Sequence, residues 1–369
     1  MAVVRMKDIA RELGVSVVTV SKALRNHDDI SVETRAKVLL RMRELNYRPN
    51  LAARALVTGR SFIVGFVVPG LLHSFFGEVA KGLTNVFRKK GYGLVISTSE
   101  EEPELEHQEI EQLLARQVDA LIVATTQLSL ESFRRIEEQN VPYVLIDRQL
   151  AGLTANFVGV DDESVGMIAT EHLIQRGCRR VAFMYGNSLS PAMGRLQGYR
   201  RALEKHGLPI RPEYVRAHDD TGDATDAAAY ATMKDLLTLP EPPDGVFGFN
   251  DQFAVNAMKA TLDAGLRIPD DVAFIGSGNI QHADFLRVPL TSIDQNSIAI
   301  GERAARIALA MIESKTPIES KTVLLEPRLV VRQSSMRGPA LVTALEAESA
   351  TMNLPGKTSF RKKSQSLRD

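Results

Sequence analysis

Cysteine is almost missing from this chain of 369 residues, which contains a single one, Cys178. A single cysteine excludes an intrachain disulfide and fits a reducing compartment. Long apolar runs are missing too, because no stretch approaches the ~20 residues that a membrane-spanning helix needs. The first residues, MAVVRMKDIARELG, also lack the apolar core of a signal peptide. We therefore expect a cytoplasmic protein without a membrane partner.

Motifs for catalysis and for cofactors are missing as well. There is no Walker-type phosphate loop, no helix with paired histidines and no G-x-S-x-G elbow. The segment GSGNIQ is half of a dinucleotide fingerprint, but it lacks the third glycine and comes late in the chain. Cys178 follows Gly177 just before a predicted strand, which favours a packing role over a nucleophilic one. We predict no enzyme, no cofactor and no metal site.

The net charge of zero hides an uneven distribution. Residues 1–60 contain 12 Lys and Arg against 6 Asp and Glu, whereas residues 61–336 contain 27 against 36. The last stretch, 337–369, contains 6 against 3. A small basic head on a larger acidic body indicates a head that meets a polyanion, although charge can also drift by chance in short segments.

The basic head, residues 1–46, predicts three short helices. The first is MKDIARELG, which Gly14 ends in a tight turn. The second is VVTVSKAL, with Ser16 as its N-cap, and the third begins at the N-cap Ser31. Two helices joined by a short glycine-containing turn and followed by a third helix are typical of a helix-turn-helix domain.

The second helix carries a surface that suits DNA better than water. Val17 and Val18 can pack on thymine methyl groups in the major groove, and Lys22 can donate to guanine O6 and N7. The hydroxyl groups of this segment suit phosphate oxygens; they belong to Ser16, Thr19 and Ser21. On the helix pattern alone, a small bundle with ordinary surface residues fits about equally well.

The segment YRPNLAARALVTGRS, within the predicted linker 47–60, favours DNA binding. Asn50 can cap a helix of less than two turns, LAARAL, which is marginal alone in water and is therefore a candidate for folding on a partner. Leu56 would then be an apolar wedge between base steps of the minor groove. The alternative for Leu56 is a linker leucine that packs on the body.

Residues 1–60 resemble the lactose-repressor (LacI/GalR) family of bacterial transcription regulators through KDIARELGVSVVTVSKAL, SVETRAKVL, LNYRPNLAARAL and TGRS. The resemblance extends over roughly residues 5–333. It implies that Val17, Val18 and Lys22 read bases. It also implies a minor-groove lever at Leu56, surrounded by Asn50, Ala53 and Arg54. A homodimer on a pseudo-palindromic operator is implied in the same way.

From Ser61 onward, short β-branched runs such as FIVGFVV and DALIVATT alternate with helical stretches. This alternation predicts an α/β body of parallel sheets covered on both faces, of the periplasmic-binding-protein type. A break near residues 158–162 divides it into two lobes. We expect the lobes to comprise 61–158 with 291–320, and 159–290 with 321–333. The resemblance implies three strands that bridge them and a ligand cleft between them.

Several side chains at predicted strand ends are candidates for holding a small-molecule effector such as a sugar. Phe75 and Phe76 could instead be helix core, and the alternative for Asp147 with Arg148 is a surface ion pair. Asp251 is expected to cap the following helix. The full candidate set is Phe75, Phe76, Asp147, Arg148, Arg195, Asn250, Asn279 and Gln295, of which the resemblance implies Phe76, Asp147, Arg148, Arg195 and Asn250.

One departure from the family concerns the effector. The family carries two aspartates where this chain has Gly278 and Asn279 after Ser277, and the first of them often anchors ligand hydroxyls. Asn279, Ser277 or Gln281 would have to compensate, or the ligand differs from a simple sugar.

The sequence thus predicts a sequence-specific DNA-binding regulator, expected to be a repressor, that a metabolite switches. The alternative is a solute-binding protein with a similar two-lobed body, against which the basic head and the missing export signal argue. We expect residues 334–369 to form a disordered basic tail, with a non-specific DNA contact as the alternative.

Overall fold

The computed structural model describes residues 4–24, 27–47, 55, 58–127, 129–186, 189–217 and 225–337. Within residues 4–24 and 27–47 there are three helices, α1 (Met6–Glu12), α2 (Val17–Leu24) and α3 (Val32–Glu44). Their small core consists of the side chains of Ile9, Ala10, Val20, Ala23, Val38 and Met42. The helix-turn-helix prediction is therefore confirmed. Asn50, Ala53, Arg54 and Leu56 lie outside the described residues.

The body alternates strands and helices in the predicted order. The first half contains β1 (Ile63–Val68), α4 (Ser74–Phe87), β2 (Gly93–Thr98), α5 (Pro103–Ala115), β3 (Ala120–Val123), α6 (Glu131–Glu138), β4 (Tyr143–Ile146) and β5 (Asn156–Val160). The second half contains α7 (Asp162–Gln175), β6 (Val181–Tyr185), α8 (Ser190–Lys205), β7 (Val215–Ala217), α9 (Thr225–Leu237), β8 (Gly245–Gly248), α10 (Asp251–Asp263) and β9 (Ala273–Ser277). The chain continues through β10 (Thr291–Asp294), α11 (Ser297–Glu313), β11 (Thr322–Leu325) and β12 (Arg328–Val330).

These strands form two six-stranded sheets. The sheet of the N-terminal lobe has the order β11-β5-β4-β3-β1-β2, and that of the C-terminal lobe has the order β12-β10-β9-β8-β6-β7. The pairings are parallel except for β10 with β12. Strands such as β3, β4 and β8 are buried along their whole length, because helices cover both faces of each sheet. The two-lobed α/β prediction is confirmed.

Three segments cross between the lobes, and their positions correct two expected boundaries. The chain leaves the first lobe at Asp161, returns to it at residues 295–296 and leaves it again at residues 326–327. We expected residues 291–320 in the N-terminal lobe, but β10 extends the C-terminal sheet beside β9. Conversely, we expected 321–333 in the C-terminal lobe, but β11 pairs with β5. The error arose because each strand lies next to a crossover, where apolar pattern alone does not reveal the partner sheet.

The disordered tail was expected to begin at residue 334, and this start is too early. Ser334 and Ser335 are buried, and Ser334 Oγ donates to the carbonyl of Phe274 over 2.7 Å. Arg337 donates to the carbonyls of Pro269 and Asp244. Residues 334–337 are thus fastened to the C-terminal lobe, and residues 338–369 lie outside the described part of the chain.

Cys178 is buried in the C-terminal lobe, and its Sγ lies 3.4 Å from the carbonyl oxygen of Asp244. Burial raises the pKa of this thiol to about 12, so it stays protonated at neutral pH. The packing role that the sequence predicts for Cys178 agrees with this environment.

Candidate DNA-binding surface and inter-lobe effector site

Helix α2 begins at the predicted cap. The backbone amide of Thr19 donates to Ser16 Oγ over 3.0 Å, and the two hydroxyl oxygens lie 2.9 Å apart. This cap fixes the direction of the helix after the turn at Gly14, whose φ of +64° glycine adopts without strain. Ser21 is half-buried farther along the helix.

The cap leaves an apolar surface in water. Val20 and Ala23 face the core, whereas Val17 is 45% exposed and Val18 is 60% exposed. Exposure of two adjacent valines to water is unfavourable. In the major groove of DNA, both could pack on thymine methyl groups. The exposure of these residues agrees with the sequence prediction.

Lys22 has an intramolecular partner that the sequence analysis missed. Its Nζ forms an ion pair with Asp29 Oδ2, and His27 Nδ1 lies 3.2 Å from the other oxygen of the same carboxylate. The bond to Lys22 lowers the pKa of Asp29 below its ordinary value. Because both side chains are partly exposed, water and salt screen this pair.

Arg195 is the most buried charged group between the lobes. It is 2% exposed, although it lies on α8 of the C-terminal lobe. Its guanidinium donates to Asp162 Oδ1 over 2.8 Å, to the carbonyl of Phe249 over 2.5 Å and to Gln295 Oε1 over 3.2 Å. Asp162 follows the first crossover, and Gln295 lies on the second. One side chain therefore joins two of the three connections between the lobes.

Arg148 forms a second buried cluster, on the N-terminal side. Its guanidinium makes two bonds with Glu101, of 2.8 and 2.6 Å, and lies 3.6 Å from Asp147. The side chains of Arg148 and Asp147 are 11% and 14% exposed, so the surface ion pair that we considered is wrong. Asp147 has a φ of +60°, a strained value for a non-glycine residue that often marks a functional site.

The two clusters influence each other. Burial raises the pKa of Asp147, and Arg148 and Arg195 both oppose that rise. Burial likewise raises the pKa of Asp162 to about 6, against the attraction of Arg195. Asp147, Arg148, Arg195 and Asp162 therefore act on one another electrostatically, and Gln295 joins them through its bond to Arg195. Their role in effector binding stays a prediction.

We expected Asn250 to be an effector candidate and Asp251 to cap the following helix, but Asn250 takes the capping role. Asn250, not Asp251, is the N-cap of α10, because Asn250 Oδ1 accepts a bond of 2.8 Å from the amide of Phe253. Asp251 is instead buried, and it accepts bonds from Ser292 Oγ and from the amide of Ile280. Either residue type caps helices well, so the sequence could not decide between them.

The backbone explains the glycine at the departure from the family, because Gly278 has a φ of +131°, which residues with a side chain rarely adopt. Asp251 lies next to it, at ordinary contact distance from where a Cβ would be. Burial raises the pKa of Asp251 to about 6, and its bond to Ile280 N holds the loop after β9. The carboxylate of Asp251, next to residue 278, therefore has its hydrogen-bond partners within the protein, and it holds the loop after β9 in place.

Two of the three candidates to compensate for Gly278 already have protein partners. Ser277 Oγ accepts a bond from Gln295 Nε2, and Asn279 Oδ1 accepts one from Arg332. Asn279 also borders a cavity of about 520 Å³ between the lobes, together with Gln281. The remaining lining residues are Glu78, Gly278, Ile280, Asp284, Asp294, Asn296, Ser297, Ile298, Ala299, Glu302 and Arg332.

Phe75 and Phe76 both belong to the apolar core of the N-terminal lobe and are about 5% exposed or less. Their rings meet edge to face at 5.1 Å. Phe76 also lies 6.0 Å from the ring of His73. Both residues therefore belong to the core, which is the alternative that the sequence analysis left open, and Phe76 also contacts the ring of His73.

The sequence analysis missed three residues of this region, which are His73, Glu101 and Asp162. One signal was available for all three. His73, Glu101 and Asp162 follow β1, β2 and β5, and the carboxyl ends of parallel strands are where ligands bind in α/β sheets.

A helix-turn-helix head joined to a two-lobed body with polar groups buried between the lobes defines a DNA-binding regulator with a ligand-binding domain. Comparison with known proteins agrees. Residues 5–50 match the family model for bacterial regulatory proteins of the lacI family, and residues 170–335 match that of periplasmic binding protein-like domains. Among the described residues, no helix is long and apolar enough to span a membrane.

The ribose operon repressor of Escherichia coli (strain K12) is 32% identical over 335 residues, which cover 89% of this chain and 99% of the relative. The solved complex of the transcriptional regulator CelR with cellobiose is 28% identical, with a TM-score of 0.68, and covers 90% of this chain and 99% of the other. The Lac repressor dimer bound to operator shares the fold, with a TM-score of 0.78 at 24% identity over 91% of this chain and all of the other.

The chain belongs to the lacI family of bacterial regulatory proteins, and it is a DNA-binding transcriptional regulator. The match of its head to that family argues against the alternative of a solute-binding protein.

Proposed function

We propose that this protein is a homodimeric repressor whose affinity for a pseudo-palindromic operator is switched by a sugar bound between the lobes. The observation that carries this proposal is the position of Arg195, which bonds to Asp162, directly after the first crossover, and to Gln295 on the second. A ligand that bonds to this guanidinium acts directly on the connections that set the angle between the lobes. The protein acts in the cytoplasm, without catalysis.

The charges between the lobes favour a neutral, hydroxyl-rich ligand. Two guanidinium groups, Arg148 and Arg195, face three carboxylates, which belong to Glu101, Asp147 and Asp162. Neither sign is in large excess, and burial raises the pKa of Asp147 and Asp162. Carboxylates accept from hydroxyl groups and guanidinium groups donate to them. The relatives named for ribose and solved with cellobiose agree with this class of ligand.

On the DNA side, we assign base contacts to Val17, Val18 and Lys22, and phosphate contacts to Ser16, Thr19 and Ser21. The linker residues Asn50, Ala53, Arg54 and Leu56 enter the minor groove as a short helix. Two heads of a dimer then occupy successive major grooves.

The switch requires the sugar to bind one lobe arrangement better than the other. A coupling of ~1–3 kcal/mol changes operator affinity about 5- to 150-fold. In a dimer, a change of lobe angle alters the distance between the two linkers, and so their fit to the two half-sites.

Two measurements test the proposal. Selection from random duplexes should enrich one sequence with two-fold symmetry, and a thermal-shift screen of neutral sugars should reveal at least one that raises the unfolding temperature. Enrichment of no sequence would refute the DNA role. A selected operator, but no stabilising sugar, would refute the effector class and leave the regulator.

A further inference from the structure

Arg60 is the residue at which the DNA linker joins the body. The amide of Gly59 donates to the carbonyl of Ala55 over 2.8 Å, and Gly59 has a φ of +67°, so a helical turn of the linker ends at this glycine. Thr58 Oγ1 accepts from the amide of Arg60 over 3.3 Å and donates to its carbonyl over 3.2 Å. Arg60 is therefore tied to the end of that turn through its backbone.

The chain directly after Arg60 is fixed to the sheet of the N-terminal lobe. The backbone amides of Ser61 and Phe62 donate to the carboxylate of Asp119 over 2.8 and 2.9 Å. Phe62 also has a φ of +59°, a strained value for a non-glycine residue that is often found at switch regions. The direction in which the chain leaves the body is thus set at these two residues.

The side chain of Arg60 reaches a second element of the lobe. Its guanidinium donates to the carbonyl of Ile312, 252 positions away, over 2.8 Å. Ile312 lies in the last turn of α11, where carbonyl groups have no partner within the helix. This last turn contains no basic residue, so Arg60 supplies the cation that the negative end of a helix dipole favours. The linker is therefore bonded to the C-terminal end of α11.

The other end of α11 lies at the inter-lobe site. The helix begins at Ser297, two residues after Gln295 on the second crossover, and Gln295 accepts a bond from Arg195. Its 17 residues span about 25 Å at 1.5 Å per residue. A Cβ on Gly301 would lie only 2.1 Å from the carbonyl oxygen of Val79, so α11 packs backbone to backbone against α4. One braced helix thus connects the crossover with the anchor of the linker.

We propose that Arg60 is a positioning residue of the switch, and that its bond to α11 passes a displacement of the second crossover on to the DNA linker. This inference rests on the proposed function and adds the connection between its two sites. It requires no contact of Arg60 with the sugar or with DNA. It also explains why the guanidinium is directed at a carbonyl of the body instead of at solvent.

Two substitutions separate the bond from the bulk of the side chain. Arg60→Met keeps the length of the side chain and removes its charge and its donors, whereas Arg60→Lys keeps a charge and a donor. In Arg60→Met, the change of operator affinity that the sugar causes should fall about 10-fold, or vanish where the wild-type change is smaller than that. Arg60→Lys should keep most of the change. The affinity of the DNA-free protein for the sugar should stay the same in both variants.

The experiment uses the full-length protein and its selected operator. The probe is the neutral sugar that stabilises the wild type most in the thermal-shift screen, which includes D-ribose and cellobiose. Operator affinity is measured without the sugar and at saturation, and sugar affinity is measured without DNA. Arg88→Met is the matched control, because Arg88 is exposed directly after α4 and its neighbour Lys90 pairs with Glu313 at the same end of α11. This control should keep the full effect of the sugar.

A structural role and a DNA contact predict other results. If Arg60 only supports the fold, Arg60→Met lowers the unfolding temperature and leaves the effect of the sugar on operator affinity as it is. If Arg60 binds a phosphate, Arg60→Met weakens operator binding equally with and without the sugar. The slope of log affinity against log salt then also becomes shallower by about one. Either result would overturn the inference.

The outcomes also separate the inference from the proposed function. An unchanged effect of the sugar in Arg60→Met would refute the role of Arg60 and leave the sugar-switched regulator intact. A loss of the effect in Arg88→Met as well would assign it to net charge and would likewise refute that role. If no sugar changes the operator affinity of the wild type, the proposed switch fails, and the inference fails with it.

Discussion

The DNA-binding head and the space between the lobes solve opposite problems. The head leaves Val17 and Val18 in water, and the body removes Arg148 and Arg195 from it. Exposed apolar groups and buried charges are both unfavourable in a free protein. Exposing Val17 and Val18 to water costs the head little free energy, and this apolar surface is left for a binding partner. The body needs a carboxylate beside each arginine to avoid a much larger cost.

This contrast predicts that the largest effect comes from unpairing the buried charges. Arg195→Ala leaves the carboxylate of Asp162 buried without its guanidinium, and breaking such a pair costs about 3–5 kcal/mol. Urea unfolding should show that loss, and the sugar should no longer change operator binding. Arg195→Ala combined with Asp162→Asn should recover part of the stability, since the unpaired charge is then absent. Equal stability of the single and double variants would contradict the pairing.

The next largest effect concerns base recognition by the head. Lys22→Ala should cost about 1–3 kcal/mol on the selected operator and relax the preference at one base pair. Binding to all single-base variants of that operator, measured by competition, would show the relaxed position. An equal loss on every sequence would assign Lys22 to a phosphate instead.

A smaller effect should come from the carboxylate that holds Lys22. Asp29→Asn removes a negative charge from the surface that meets DNA and releases Lys22 from its ion pair. Because the pair is exposed, we expect binding to DNA of any sequence to tighten only a fewfold. The neighbouring Asp28→Asn removes the same charge without a bond to Lys22. Identical effects of the two variants would mean that net charge, rather than the pair, matters.

The smallest expected effect is the pH dependence of the stability of the body against unfolding. Burial lowers the pKa of His73 and of His172 from 6.5 to about 4. As pH falls, the unfolded chain takes up these protons first, so stability is lost between pH 6.5 and pH 4. The raised pKa values of Asp162 and Asp251 act in the opposite direction between pH 3.8 and about 6, since the folded protein then binds the proton first.

The unfolding temperature of the wild type, followed from pH 7 to pH 5, should therefore decline only gently. His172→Gln should decline less than the wild type, because one of the two histidine contributions is missing. A steeper decline in that variant would contradict the direction of the pKa shift.

The same contrast explains how far the sequence could be interpreted. Local rules were enough for the head, where Ser16 and Ser31 cap helices within three residues of their partners. The alternation of strands and helices was equally local. In the body, Arg148 bonds to Glu101 across 47 positions and Arg195 to Gln295 across 100. Such pairs depend on sheet order, which the periodicity of one segment does not contain.

The errors have the same origin. The strands β10 and β11 were assigned to the wrong lobes because each lies next to a crossover, and pairing across the sheet decides its place. Asp251 was taken for a helix cap because its partners, Ser292 on β10 and Ile280 in the loop after β9, are distant from it in the sequence.

The affinity of the full-length protein for its selected operator, measured without sugar and at saturation with a sugar that stabilises it, tests the account most directly. We predict a change of about 5- to 150-fold. An operator affinity that stays the same while the sugar is demonstrably bound would contradict the switch.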